Sequence, residues 1–276
     1  MGPVGAAEGD LLDVATLVAG EAAELARTAR EAAIQDVGTK SSETDVVTAA
    51  DLAVEKLVRS RLASLRPGEP VLGEEAGTSG SPDLSGVRWV VDPIDGTVNY
   101  LYGFPWYAVS LAAQVDGISV AAAVVEPASG RRWTAARGGG AFLDGRPLRV
   151  SSATRLELSL VATGFGYRPE RRERQAAGIP GLLSRIRDIR RAGAASLDLC
   201  AVAAGWLDGY FEHGLNRWDW AGGALIAEEA GAVVRLPPTV DDMTFVAAPG
   251  IADELLTALE ETGLADLGPT VPPMGI

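Results

Sequence analysis

The sequence predicts a layered α/β sandwich, because a β-rich antiparallel half is followed by a half in which strands and helices alternate. Apolar residues recur at helical spacing in two segments before residue 70. From Ala108 to Val150 the pattern changes to strands joined by Asp-Gly turns, which are typical of β-hairpins. Beyond residue 150, short apolar runs and amphipathic segments alternate to the end of the chain.

The first half begins with helices and continues with strands. One helix is predicted from Asp10 to about Ile34, and a second from Ala49 to Leu65, where Arg66-Pro67-Gly68 ends it. A short strand follows at Val71 and Leu72, and a buried strand covers Val87–Val91. Acidic residues follow both of these strands directly.

The second half alternates, and this change of pattern suggests a boundary. Predicted strands cover Leu158–Thr163, Asp188–Arg191 and Leu207–Phe211 and lie near Val233 and Phe245; predicted helices cover Pro169 to about Arg185, Ser196–Ala204, Asp219–Ala230 and Ile251 to about Glu261. We predict a loose tail over residues 1–9, an N-terminal half over 10–150 and a C-terminal half over 151–276, within one compact unit.

Composition excludes several classes of function. The formal net charge of -13 argues against broad nucleic-acid binding, which needs a basic surface. A single cysteine, Cys200, and a single histidine, His213, nearly exclude a zinc site. No apolar stretch is long enough to span a bilayer, and the N-terminus lacks the pattern of a signal peptide. We therefore expect a cytoplasmic protein that does not contact membranes.

Carboxylates follow the predicted strand ends repeatedly. Glu74 follows one strand, Asp92 and Asp95 follow the next, and Asp219 opens a helix after a later strand. Ligands gather at the carboxyl ends of strands in α/β sheets, so these side chains are expected to meet. Oxygen donors of this kind suit Mg²⁺ or Mn²⁺. Bound cations would also offset the repulsion between an acidic protein and an anionic substrate.

The segment Asp-Pro-Ile-Asp-Gly-Thr combines these acids with a possible phosphate site. Pro93 fixes the turn and could direct the Ile94 carbonyl at a cation. Gly96 permits close approach to the backbone, and a helix beginning at Thr97 would present free N–H groups to an anion. A turn with an aspartate cap explains the same letters, and Asp51 three residues after Thr48 also fits a capping box. Both interpretations stay open at this point.

The ordered set of motifs resembles the inositol monophosphatase family of Mg²⁺-dependent, Li⁺-sensitive phosphatases. The matching segments are KSSETDVVTAAD (Lys40–Asp51), LGEE (Leu72–Glu75), WVVDPIDGTVN (Trp89–Asn99), RRAGAASLDLC (Arg190–Cys200) and WDWAGGALIAEEAG (Trp218–Gly231). The resemblance implies the αβαβα sandwich of the sugar phosphatases, a homodimer, and two or three Mg²⁺ ions per subunit, with Mn²⁺ as a substitute. It also implies a phosphorylated polyol as substrate.

Roles for individual residues are implied by the same resemblance. Metal ligands are Glu74, Asp92, the Ile94 carbonyl, Asp95 and Asp219. Glu74 with Thr97 and Asp51 activates water, while Asp95 and the amides of Gly96 and Thr97 surround the phosphate. The residues implied to contact substrate elsewhere are Arg190, Gly193, Ala194, Ala195, Glu212 and Asp219. The loop around Lys40 is expected to be mobile and to close over the site.

One departure from the family pattern affects the expected substrate. Ala194 stands where the family usually carries serine or threonine, so a hydroxyl near the substrate is missing. The resemblance favours hydrolysis of myo-inositol 1-phosphate or a close inositol or sugar monophosphate. Histidinol phosphate, fructose 1,6-bisphosphate and 3′-phosphoadenosine nucleotides stay open as alternatives. A transcription-associated binding protein is the alternative of another class, since some bacterial relatives bind RNA polymerase; the acidic charge makes such contacts less expected here.

Overall fold

The structure is a computed structural model that describes residues 6–33, 37–39, 46–79 and 86–267. Within these residues the α-helices are α1 (Ala6–Ala33), α2 (Ala49–Leu65), α3 (Thr97–Tyr102), α4 (Pro169–Leu183), α5 (Ala195–Ala203), α6 (Arg217–Glu229) and α7 (Ala252–Glu261). The strands are β1 (Val37–Thr39), β2 (Val46–Thr48), β3 (Val71–Gly73), β4 (Gly77–Ser79), β5 (Val87–Asp95), β6 (Ala108–Val115), β7 (Ile118–Val125), β8 (Arg132–Ala136), β9 (Gly140–Leu143), β10 (Arg146–Pro147), β11 (Leu160–Thr163), β12 (Asp188–Arg190), β13 (Gly209–His213), β14 (Val233–Arg235) and β15 (Met243–Ala247).

An eight-stranded sheet forms first, in the order β10-β9-β8-β7-β6-β5-β3-β4. Its neighbours are antiparallel except β3 and β5, which run parallel and therefore end at the same edge. The two predicted hairpins are present. Asp116 and Gly117 have φ of 51° and 82°, and Asp144 and Gly145 have φ of 49° and 77°. Positive φ at both central residues is the conformation that joins twisted antiparallel strands most tightly.

A second, five-stranded sheet follows in the order β12-β11-β13-β15-β14. Strand β11 is parallel to both of its neighbours, β12 and β13, whereas β15 is antiparallel to β13 and β14. The parallel strands need crossover connections, which α4 and α5 supply. This arrangement confirms the alternation that the sequence predicts after residue 150.

Three hydrophobic cores separate five layers. Helices α1 and α2 pack on one face of the first sheet, α5 and α6 fill the space between the sheets, and α4 and α7 cover the far face of the second. Along β5, Trp89 and Val91 face the α1–α2 layer, while Val90 faces the α5–α6 layer. Such alternation follows from the two-residue period of a strand. The predicted layered αβαβα sandwich is thus confirmed.

Some predicted boundaries shift by a few residues. Helix α1 begins at Ala6, inside the segment 1–9 that was predicted as a tail, and residues 1–5 lie outside the described part. The strand expected from Leu158 begins only at Leu160, because Leu156–Leu158 forms a 3-10 turn. The division of the chain near residue 150 stays a prediction. Among the described helices, none combines the length and apolar composition that crossing a bilayer requires.

Close packing around α6 yields a stability prediction. A Cβ at Gly223 would lie 2.9 Å from the Ser196 carbonyl oxygen and 2.8 Å from the Leu199 Cβ on α5. Gly223→Ala should therefore lower the free energy of unfolding by about 1–3 kcal/mol through overpacking. Gly20→Ala in α1 is the matched control, since its nearest neighbour is an Arg132 side chain at 3.8 Å.

The control should raise the free energy of unfolding by about 0.5–1 kcal/mol, because alanine restricts the unfolded chain more than glycine does. Denaturant unfolding of both variants measures the two changes. Equal gains in stability from both substitutions would show that the α5–α6 contact is looser than described here.

Candidate active site

Two buried aspartates end strand β5 at an interruption in its pairing. Asp92 pairs with Ser110 and Asp95 with Ala108, and the register shifts between them. Pro93 has no N–H to donate to a ladder, so the strand cannot continue regular pairing there. The Ile94 carbonyl accepts a hydrogen bond from the Thr97 hydroxyl at 3.0 Å. The bulge therefore places two carboxylates and one carbonyl at the strand end.

Gly96 follows the second aspartate because no other residue fits there. Its φ is 85°, in the left-handed region, and a Cβ would lie 3.1 Å from the Ala194 Cβ and 3.1 Å from the Trp106 carbonyl oxygen. The Gly193 carbonyl oxygen would be 3.2 Å away. A side chain would push apart β5 and the segment before α5. Gly96 thus joins the two halves of the site at backbone distance.

Asp95 caps helix α5 from a distant part of the chain. Its Oδ1 accepts from the Ala195 N–H at 3.1 Å, and its Oδ2 accepts from the Ser196 N–H at 2.7 Å and the Ser196 hydroxyl at 2.5 Å. Ala194, the N-cap residue, offers no side-chain acceptor. Burial raises the pKa of Asp95 to about 6; the Ser196 and Ala195 hydrogen bonds oppose the rise and the charge of Glu212 adds to it.

Asp51 both caps helix α2 and contacts the site. Its Oδ2 accepts from the Thr48 N–H at 2.8 Å and the Thr48 hydroxyl at 2.6 Å, which completes the capping box. The Thr97 hydroxyl donates to its Oδ1 at 3.3 Å. The side chain is fully buried. The two interpretations of Asp51 therefore coexist in one carboxylate.

Two further acids approach from the second half of the chain. Glu212, in β13, accepts a hydrogen bond from the Tyr210 hydroxyl at 2.6 Å, and Asp219, in the first turn of α6, accepts from the Asn216 N–H at 2.5 Å. Burial raises the pKa of Glu212, against the effect of Tyr210 and nearby arginines. Burial, and then the charges of Glu74 and Asp95, hold the pKa of Asp219 well above its usual value.

A cavity of about 550 Å³ collects most of the predicted residues. Those that line it are Glu74, Asp92, Ile94, Asp95, Gly96, Thr97, Gly193, Ala195, Glu212 and Asp219. Asp51 is buried behind Thr97, and Ala194 is buried against Gly96. The Ser196 hydroxyl does not replace the missing one at Ala194, because it is hydrogen-bonded to Asp95.

Two predicted residues do not reach the cavity in the described structure. Arg190 is exposed and pairs with Asp188 at 2.6 Å, so its predicted substrate contact is not formed. Its neighbour Arg191 lines the cavity instead and lies against Gly193, which has φ of 93°. Lys40 lies outside the described residues. Sequence spacing alone cannot tell adjacent arginines apart when a strand is ending.

Arg171 is a cavity residue that the sequence analysis missed. It is 6% exposed and pairs with Asp241 at 3.1 Å, and its methylene groups pack close to Gly166. The charged cluster from Arg168 to Gln175 was interpreted as a solvated helix face. A signal was nevertheless present, because Arg171, Gln175, Gly178 and Leu182 form one buried stripe along α4.

The acidic wall suits a hard cation by its chemistry. Its donors are carboxylate oxygens with one backbone carbonyl oxygen, the set that Mg²⁺ prefers. The raised pKa of Asp219 reports the mutual repulsion of these acids, which a cation would offset. Across the described residues, no three histidine, cysteine, aspartate or glutamate side chains already stand close enough together to hold a metal ion. The acids share a cavity without forming a finished coordination shell.

Comparisons with known proteins agree on one family. The inositol monophosphatase family model matches residues 9–263. An inositol-1-monophosphatase of Mycobacterium leprae is 51% identical over 246 residues, which are 84% of this chain and 84% of that protein. A Nus factor SuhB of Pseudomonas aeruginosa is 40% identical over 233 residues, 81% of this chain and 84% of its own length.

A solved structure supports the same assignment. The structure of SuhB from Mycobacterium tuberculosis matches with a TM-score of 0.81 at 46% identity, covering 93% of this chain and 98% of that one. The sequence match, the five-layer fold and the acidic cavity thus point the same way. The chain belongs to the inositol monophosphatase family.

Proposed function

We propose that the protein is a Mg²⁺-dependent phosphomonoesterase that hydrolyses myo-inositol 1-phosphate, or a close polyol monophosphate, to the alcohol and inorganic phosphate. One observation carries the proposal: Glu74, Asp92, Asp95 and Asp219, from distant segments, line one cavity beside Thr97. Family membership and the 51% identity to an inositol-1-monophosphatase support the phosphatase activity. The metal and the alcohol are the parts that need experiments.

The residues that would hold two or three Mg²⁺ ions are Glu74, Asp92, Asp95, Asp219 and the Ile94 carbonyl. Like charges repel, so such side chains are expected to converge fully only around a cation, which fits their separation in the described structure. When bound, Mg²⁺ acts as a Lewis acid that lowers the pKa of water and offsets the charge of the phosphoryl group. The remaining chemistry belongs to the chain itself.

Thr97 and Asp51 would orient the attacking water. The Thr97 hydroxyl can accept a hydrogen bond from water while donating its own proton to Asp51, to which it already lies at 3.3 Å. Thr48 fixes the other Asp51 oxygen, so the acceptor cannot turn away. The amides of Gly96 and Thr97 would bind the phosphate oxygens. Positioning of this kind supplies much of the catalysis in phosphoryl transfer.

The far wall would bind the alcohol. Glu212 is held by the Tyr210 hydroxyl and lines the cavity with Gly193 and Ala195. Its carboxylate can accept hydrogen bonds from vicinal hydroxyl groups, and Asp219 can contribute on the metal side. Gly164 is needed here, because a side chain at that position would collide with the Glu212 carboxylate. The hydroxyl-rich alcohol of an inositol phosphate matches these acceptors.

A second candidate substrate class is favoured by the basic rim of the cavity. Arg168, Arg171 and Arg191 line the cavity together with Tyr167 and Trp218. Arginine recognises phosphate through paired hydrogen bonds, and aromatic rings stack on flat groups. A polyol that carries a second phosphate, such as fructose 1,6-bisphosphate, would place that group near these arginines.

A ligand variant tests the metal assignment. Asp219→Asn should lower kcat/KM by at least about 100-fold in Mg²⁺, because an amide is a weaker cation ligand than a carboxylate. Its Oδ1 can still accept from the Asn216 N–H, so helix α6 keeps its cap. In EDTA at neutral pH the variant should be as stable as the parent or more so, because it relieves repulsion by Glu74 and Asp95. Steady-state kinetics and thermal unfolding measure both; turnover within a few-fold of the parent contradicts the assignment.

A hydroxyl deletion tests the water-orienting role. Thr97→Ala should lower kcat by about 100-fold or more, the scale of a lost proton-transfer group. Mg²⁺ affinity, measured by calorimetry, should change much less, since no proposed ligand is removed. Thr97→Ser is the control and should recover most of the activity, because it keeps the hydroxyl that contacts Asp51 and Ile94. Equal activity of the alanine and serine variants would refute the role.

A substrate panel in Mg²⁺ decides between the alcohols. We expect the highest kcat/KM for myo-inositol 1-phosphate; a clear preference for histidinol phosphate or fructose 1,6-bisphosphate would replace that choice. Arg191→Gln should raise KM for the bisphosphate about tenfold more than KM for inositol 1-phosphate, the scale of one lost charged hydrogen bond. Arg187→Gln is the matched control, because Arg187 is exposed and donates to the Leu158 carbonyl. Equal effects of the two variants would exclude a second-phosphate contact at Arg191.

A further inference from the structure

Helix α2 carries a second buried acid one turn after Asp51. Residues four apart lie on the same face of a helix, so Glu55 points toward the first sheet as Asp51 does. Glu55 is 2% exposed. Asp51 reaches Thr97 at the end of β5, whereas Glu55 reaches the turn that follows β3. One helix face therefore touches both edges of the acidic wall.

The Glu55 carboxylate occupies the turn that carries Glu74. Its Oε2 accepts from the Glu75 N–H at 2.8 Å, and its Oε1 accepts from the Ala76 N–H at 3.0 Å. A Cβ at Gly73 would lie 2.5 Å from the Glu55 carboxyl carbon. The acid is thus enclosed between the residue before Glu74 and the amides after it. Hydrogen bonds to an ionised acceptor are the strong ones, so they fix the local backbone.

Arg59 completes the arrangement from the next turn of α2. Its Nε donates to Glu55 Oε1 at 2.8 Å, and its Nη atoms donate to the Gly77 carbonyl at 2.5 Å and the Ser79 hydroxyl at 2.9 Å. It also reaches the Val71 carbonyl at 3.2 Å. The pair therefore holds both strands of the β3–β4 hairpin. A buried ion pair is weak evidence for stability alone, because desolvation offsets its attraction.

We propose that Glu55 is a positioning residue: through the amides of Glu75 and Ala76 it fixes the backbone that aims Glu74 into the cavity, and thereby sets the affinity for divalent cations. The inference rests on the proposed function in naming Glu74 a metal ligand. Groups that orient metal ligands typically contribute about 10–100-fold to metal affinity or activity. A hairpin brace without this role would change stability alone.

Calorimetric titration with Mn²⁺ tests the proposal without turnover. Glu55→Gln keeps the size of the side chain but replaces one acceptor oxygen by a donor that faces a backbone N–H. We expect Mn²⁺ affinity to fall about 10–100-fold and the Mg²⁺ concentration for half-maximal activity to rise by a similar factor. KM for substrate at saturating Mg²⁺ should stay near that of the parent. Hydrogen exchange at the Glu75 and Ala76 amides should become faster.

Glu69→Gln is the matched control at the other end of β3. Glu69 accepts from Trp89 Nε1 at 2.7 Å and pairs with Arg66 at 2.6 Å, so it supports the same strand away from the cavity. This variant should unfold at lower temperature with unchanged Mn²⁺ affinity. If Glu55→Gln likewise loses only stability, the positioning role is overturned.

Gly73→Ala provides an independent route should Glu55→Gln fold poorly. The added methyl group would displace the Glu55 carboxylate without removing it. It should lower Mn²⁺ affinity in the same direction, and the double variant should lose less than the two single losses combined, because both act through one contact. Unchanged affinity in Gly73→Ala would count against the proposal. A parent that binds Mn²⁺ but hydrolyses no phosphate ester would overturn the proposed function, and leave the calorimetric comparison valid.

Discussion

The structure depends on a carboxylate shared between two distant segments. Asp95 ends the central strand of the first sheet, and its oxygens accept the first N–H groups of α5, which lies between the sheets. The positive end of the helix is thereby neutralised by a residue a hundred positions earlier in the chain. This contact brings Gly193 and Ala195 to the cavity that Asp92 and Thr97 line. Fold and site are joined at one side chain.

Joining them in this way concentrates negative charge. Burial and neighbouring acids raise the pKa of Asp95, Asp219 and Glu212 together, so each ionised group destabilises the others. The fold resists this repulsion with fixed donors: Ser196 for Asp95, Asn216 for Asp219 and Tyr210 for Glu212. The acids are thus held by separate elements that cannot all relax away. A site strained by like charge is prepared for a cation, and this is how functional sites commonly use stability.

Local signals in the sequence predicted much of this structure. The bounds of α2 followed from its capping box and Pro-Gly stop, the hairpins from Asp-Gly pairs, and the acidic wall from carboxylates at strand ends. Long-range partners were not predictable. Nothing near Ser196 indicates that its hydroxyl binds Asp95, and nothing near Glu55 indicates that the turn after β3 closes on it. Such contacts depend on how layers stack, which the local pattern does not encode.

The replacement at Ala194 gains its meaning from the same geometry. A serine hydroxyl is available two residues later, but Asp95 engages it at 2.5 Å, and Ala194 itself is buried against Gly96. The substrate wall beside α5 therefore offers backbone groups and the Ala195 methyl rather than a hydroxyl. Discrimination among alcohols then falls to Glu212, oriented by Tyr210, and to the arginines of the rim. Because acceptors at one end and cations at the other bound the same cavity, hydroxyl pattern and second charge are the two properties by which this site can select its substrate.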